Sequence, residues 1–129
     1  MNVLFRGPLT GSFKASSQLL IVANTVTLDF QLVTSNGPTT LQWYMEFFDQ
    51  DLQQWCREIS EEDTGSGVVT MAVVVRTFRE NGGAALADGS HLFSSQFIRR
   101  AQLVRVQMRV TAGAAQVTLA APFGEIPVS

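Results

Sequence analysis

The chain is 129 residues long, 46% apolar and only 16% charged, with a formal charge of −2 at pH 7. That length allows one domain with a self-sufficient core and at most a short arm, and the charge balance gives no electrostatic reason to expect nucleic acid. Charge well below the usual quarter of residues leads us to expect that much of the surface faces other protein, because interface cores are depleted of charge.

The first stretch, MNVLFRGPLTGSFKASS, carries Val3, Leu4, Phe5, Leu9 and Phe13, broken by Gly7-Pro8 and Gly11. It has no apolar run followed by a cleavage site and so does not read as a signal peptide. Residues 1–17 are expected to be either an edge strand or an extended arm that docks its apolar side chains on a neighbour. The β domain proper is expected over residues 18–129.

QLLIVA reads as a short covered strand. In TVTLDFQLVT, Val26, Leu28, Phe30 and Leu32 share one face and Thr27, Asp29 and Gln31 the other, which is a half-buried strand. LQWYMEFF repeats the device, with Leu41, Trp43, Met45 and Phe47 inward and Gln42, Tyr44, Glu46 and Phe48 outward. Between the two, SNGPTT supplies Asn-Gly and Gly-Pro, and a turn is expected there.

WCREIS reads as a further short strand, EEDTGSG (61–67) as an exposed loop, and VVTMAVVVRTF as a central strand covered on both sides. RENGGAALADGS (79–90) is expected to be a mobile loop. HLFSSQFIRR is ambiguous between a strand and a turn of helix carrying Phe93 and Phe97. AQLVRVQMRVT alternates plainly, with Val104, Val106, Met108 and Val110 inward and Arg105, Gln107 and Arg109 outward. TAGAA is then expected to turn the chain into QVTLAA as a hairpin.

The sum is an all-β domain, an antiparallel two-sheet β-sandwich of jelly-roll-like layout with seven to eight short strands; a sandwich is preferred to a closed barrel. The longest apolar runs, residues 19–23 and 71–75, are far too short to span a bilayer. A soluble protein made in a cytoplasm is expected.

Charge is unevenly distributed. Residues 41–66 hold seven acids (Glu46, Asp49, Asp51, Glu58, Glu61, Glu62, Asp63) against Arg57, a net −6. Residues 67–129 hold six arginines (Arg76, Arg79, Arg99, Arg100, Arg105, Arg109) against Glu80, Asp88 and Glu125, a net +3. Eight of the nine basic residues are arginine. A GC-rich coding genome explains that bias, and so does a need for guanidinium forks at interfaces.

Catalytic chemistry finds little footing. His91 is the one histidine and Cys56 the one cysteine, so no internal disulfide forms and a closed zinc site lacks ligands. Cys56, between Trp55 and Arg57 in a strand, reads as an inert thiol rather than the partner of His91. Asp49, Asp51, Glu61, Glu62 and Asp63 could offer oxygen ligands to calcium, but without EF-hand spacing they read as a solvated acidic edge. Glu46 and Glu58 are a conceivable glycosidase pair that sequence cannot place across a cleft. Gly65-Ser66-Gly67 lacks the setting of an esterase serine. No phosphate-binding fingerprint occurs, and no cofactor or metal is expected.

Trp43, Tyr44, Phe48 and Trp55 invite comparison with carbohydrate platforms. Trp43 falls on the core face, while Tyr44 and Phe48 could bind sugar or be covered by protein. The stripe Arg99, Arg100, Arg105 and Arg109 has the charge for phosphates but lacks interleaved aromatics, so an acidic protein loop is the better partner.

The segments WYMEFFDQDLQQWCREISEEDTGSGVVTMAVVVRTF, FIRRAQLVRVQMRV and VTLAAPFG, in their layout, resemble small β-sandwich capsid decoration (cement) proteins of tailed bacteriophages. The resemblance spans residues 18–124 and rests on a compact all-β chain, a short N-terminal arm, few charges and an arginine-rich strand. It implies a non-enzymatic virion protein on the capsid surface, with the major capsid protein and further copies of itself as partners, a trimer being favoured. It assigns no site residues.

From the residues themselves, the expected contact set is Phe5, Leu9, Phe13, Tyr44 and Phe48 for apolar burial. Arg99, Arg100, Arg105 and Arg109 are expected to meet Glu61, Glu62 and Asp63 of an adjacent copy. No nucleic acid, membrane or small-molecule partner is expected. The alternatives are a carbohydrate- or receptor-binding module and a tail or neck component.

Overall fold

The computed structural model describes residues 2–63, 69–80, 82–98, 101–121 and 125–127, giving backbone alone for 61–63, 69–71, 73 and 125–127. In chain order the strands are β1 (Asn2–Pro8), β2 (Lys14–Ala15), β3 (Leu19–Ile21), β4 (Thr25–Asp49), β5 (Gln54–Arg57), β6 (Ile59–Asp63), β7 (Val69–Val73), β8 (Arg76–Phe78), β9 (Gly89–Ile98), β10 (Leu103–Ala121) and β11 (Glu125–Pro127). The described residues are all-β and antiparallel, and no helix among them is long and apolar enough to cross a membrane. Nine strands form one open sheet, ordered β11-β3-β10-β4-β5, with β1 and β2 also on β10 and β8 and β9 also on β4; β6 and β7 pair separately.

Two long strands replace an expected turn and an expected hairpin. β4 runs 25 residues through SNGPTT, and β10 runs 19 residues through TAGAA. They pair with each other from Val104↔Phe47 to Ala120↔Asp29. The turn-forming residues instead make facing bulges. Val110 pairs with Leu41, Ala112 with Thr40 and Ala114 with Ser35, so between the last two pairs β4 advances five positions while β10 advances two.

Asn36 (φ 54°) and Gly113 (φ 73°) take left-handed conformations there, and the Gly37–Pro38 peptide is cis. A Cβ on Gly113 would press into the Cα and Cβ of Thr39, each 2.9 Å away, so glycine is required both by φ and by the close approach of the strands.

The bulges reset the alternation of both strands. On β4 the buried set is Val26, Leu28, Phe30 and Leu32 before the bulge and Leu41, Trp43 and Met45 after it, a change from even to odd. On β10 it is Val104, Val106, Met108 and Val110, then Ala115, Val117 and Leu119. Without that reset one half of each strand would turn its apolar set to water.

The bend brings the two halves of β4 into contact: the Phe30 and Trp43 rings lie 4.7 Å apart, and both meet Phe78, at 5.0 and 5.9 Å. Each such buried side chain stabilises the fold by about 1.5–3 kcal/mol.

Residues 2–8 form the sheet's margin on β10, and Leu9 lies in the core with Leu4. VVTMAVVVRTF is not a central strand. Its first part is β7, paired with β6 in a hairpin that leaves the sheet after Glu58 and returns at Val74, whose N–H donates to the Glu58 carbonyl (3.1 Å). Glu61, Glu62 and Asp63 accordingly lie on β6 rather than in a loop.

Residues 82–90 are no free loop either. Leu86 is fully buried, and its backbone exchanges two 2.9 Å bonds with Thr39 at the β4 bulge. Asp88 Oδ1 accepts from the Gly37 N–H at 2.9 Å. HLFSSQFI, ambiguous in sequence, is strand β9, with no turn of helix.

Candidate binding face

Side chains that alternate away from the core where the second half of β4 pairs with the first half of β10 meet on one outer face. β4 supplies Gln42, Tyr44, Glu46 and Phe48, and β10 supplies Arg105, Gln107 and Arg109. Register sets Glu46 opposite both Arg105 and Arg57, Tyr44 opposite Gln107, Gln42 opposite Arg109, and Phe48 opposite Trp55 of β5. Cross-strand neighbours on one face lie within contact distance, and Glu46 with Arg105, Gln42 with Arg109 and Phe48 with Trp55 interact directly.

Three arginines are laid across aromatic rings. The Arg57 guanidinium lies 3.9 Å from the Tyr44 ring centre, Arg105 lies 4.4 Å from Trp55, and Arg109 lies 4.5 Å from Phe13. The rings are themselves paired edge to face, Phe13 with Tyr44 at 4.8 Å and Phe48 with Trp55 at 5.3 Å. Cations favour ring faces because the π quadrupole is negative there.

Glu46 is the only carboxylate in the cross-strand rows from Gln42 to Phe48. It is nearly buried, and Arg105 Nε and Gln107 Nε2 both donate to its Oε1 at 2.8 Å. Arg109 donates to Gln42 Oε1 from Nε and Nη2, at 3.0 and 2.8 Å. The face therefore holds three guanidinium groups against one carboxylate, with Arg57 exposed and the other two half-covered.

The expected contact residues divide accordingly. Phe13, Tyr44, Phe48, Arg105 and Arg109 come together on this face. Tyr44 is only 8% exposed, covered from within the chain by Phe13 and Arg57. Leu9 is a core residue and Phe5 packs against the core, so both bury their apolar area inside this chain. Glu61, Glu62 and Asp63 belong to the separate β6–β7 hairpin. Arg99 and Arg100 lie outside the described residues.

Arg57 was missed in sequence, and Trp55 was weighed there only as part of a carbohydrate platform. Their signal was the WCR alternation of a strand pairing antiparallel with FF, which places Trp55 and Arg57 on the face of Phe48 and Glu46.

The other polar candidates have structural partners. Glu58, nearly buried, is bound by both Nη atoms of Arg76, whose guanidinium lies 5.0 Å over the Trp43 ring. Glu46 and Glu58 are thus each engaged by a different arginine. His91 Nε2 sits 2.8 Å from the Ala87 carbonyl and 3.2 Å from Thr34 Oγ1, holding the loop to the sheet. Asp49 Oδ1 accepts from the N–H groups of Asp51 and Leu52, a turn-capping arrangement. Cys56 is half-buried beside Phe47 and Phe48. The Arg105 guanidinium lies over one face of the Trp55 ring and takes that face from any sugar.

No family model matches the chain, and neither a curated protein nor a solved structure matches it.

Proposed function

We propose that this chain is a non-enzymatic virion structural protein, a capsid decoration or cement protein of the tailed-phage kind, that grips acidic protein surfaces with its arginine–aromatic face. The observation that carries the reading is the set of three guanidinium groups on one outer face, placed over the rings of Phe13, Tyr44 and Trp55 and facing a single carboxylate. A guanidinium already fixed by stacking loses little freedom when it takes a carboxylate fork, so the face is preorganised for acidic partners. The major capsid protein and the acidic β6 segment of a neighbouring copy are the partners proposed. The same reading takes the bent sheet as a two-sheet sandwich of jelly-roll type; the Phe30–Trp43 contact across the bend supports it.

The test starts with an antibody to the protein, used to label particles purified from its native source. Regular labelling of capsid shells is expected; particles that never label would sink the reading. Arg57→Glu, which reverses the exposed member of the trio, should weaken particle binding by roughly tenfold at low salt and flatten its salt dependence. A glycan array should give no sugar-dependent signal, and one that does would favour the carbohydrate-binding alternative.

A further inference from the structure

We propose that β9 joins two copies of this chain edge to edge, antiparallel, about a twofold axis at Ser95. β9 pairs with β4 at ten consecutive positions, from Thr25↔Ile98 to Thr34↔Gly89. Among the described residues no strand pairs with its other edge. Alternate N–H and C=O groups along it therefore point away from the sheet, which is the template that strand addition uses.

Sheets guard such edges with brevity, proline, charge or bulges. The other margins of this sheet show those devices. β1 carries Pro8, exposed Arg6 and a bulge between Val3 and Phe5. β2, β3, β5, β8 and β11 are two to four residues long. β9 has none of these: GSHLFSSQFI is ten residues without proline, lysine, arginine or carboxylate, and its register on β4 is unbroken.

The strand's own sequence identifies the occupant as a second copy. With no Asp, Glu, Lys or Arg, β9 can lie beside itself without like-charge repulsion. Ser95 opposite Ser95 places Leu92 opposite Ile98, Phe93 opposite Phe97 and Ser94 opposite Gln96. Every apolar side chain then meets an apolar one, twice by symmetry.

Leu92 and Ile98 are the two most exposed large apolar residues described, at 65% and 76%, and this register covers both. Phe93 and Phe97 already pack against the core from the inner face, so the join continues that core across the axis. A shift of the axis to residue 94 or 96 sets Leu92 or Ile98 against Gln or Ser, and an axis between two residues opposes inner with outer residues. In the favoured register partners share parity, so the outward-pointing backbone groups of one copy meet those of the other. The pairing stands independently of the virion role proposed above.

Sedimentation equilibrium on the full chain tests it. The unmodified protein is expected to be a dimer, or an assembly of dimers. Leu92→Lys with Ile98→Lys sets lysine against lysine on both sides of the axis and should raise the dimer dissociation constant roughly hundredfold. Leu92→Lys with Ile98→Glu sets lysine against glutamate and should restore the dimer at low salt. Both positions are exposed in the single chain, so the fold tolerates either pair, as circular dichroism would verify. A monomeric unmodified protein, an oligomer indifferent to the double lysine variant, or equal dissociation by both variants would each overturn the proposal.

Discussion

Arg76 and Glu58 show how a polar pair is held in a lightly charged domain. Glu58 is 6% exposed, and both guanidinium nitrogens of Arg76 serve its carboxylate while the arginine plane lies over Trp43. Breaking one partner of such a pair leaves a desolvated charge, which costs more than the pair contributes when intact. Arg76→Met should therefore lose about 2–4 kcal/mol in urea unfolding, and adding Glu58→Met should recover part of that loss. A double variant no more stable than Arg76→Met would show that the two side chains act separately. None of this was legible from spacing alone. Glu58 and Arg76 are brought together by a hairpin inserted between them, and nothing in the local pattern announces how far a chain travels before it returns.

At the scale of elements, the inward faces were readable and the connections were not. Val26 to Leu32, Leu41 to Met45 and Val104 to Val110 bury the side chains their alternation assigns. The physical reason is that a pleated strand with one wet face must alternate. What joins those runs is decided elsewhere. Asn, Gly and Pro between two alternating runs satisfy a reversal of direction and an in-line bulge equally well, since both need positive φ and both reset parity. The choice falls to the bulge because β10 carries a matching irregularity at Ala112, opposite Thr40, and because Leu86 and Asp88 bind the bulged residues from the side. Gly113→Ala should consequently cost about 2 kcal/mol or more, combining a left-handed φ with overlap on Thr39. Gly11→Ala, where the nearest atom is 4.0 Å away and φ is ordinary, should change stability by less than about 0.5 kcal/mol. Equal melting midpoints for the two variants would refute this account of the bulge. The arginine–aromatic face was half legible: β4 and β10 declared their outward residues, but the rows formed with Trp55 and Arg57 required knowing that β5 folds back on β4.

For the whole molecule, the two spine strands make the halves inseparable, because each half's central strands are the other half's strands continued. Leu86→Ala, which empties space at the bend, should cost about 2–5 kcal/mol. Hydrogen exchange should show amide protection falling together in β9 and in β5 and β8. Protection lost from one half alone would mean that the sheet folds as two units. The unbroken spine also bears on how the protein would carry force. Tension applied at one end of the bent sheet reaches the other along peptide bonds of β4 and β10, with their shared hydrogen-bond ladder loaded in shear. Two sheets tied by surface turns would hinge at those turns under the same pull. In the decoration role proposed above, such a chain would work as a strap, and a strap is strongest when its fibres run its full length.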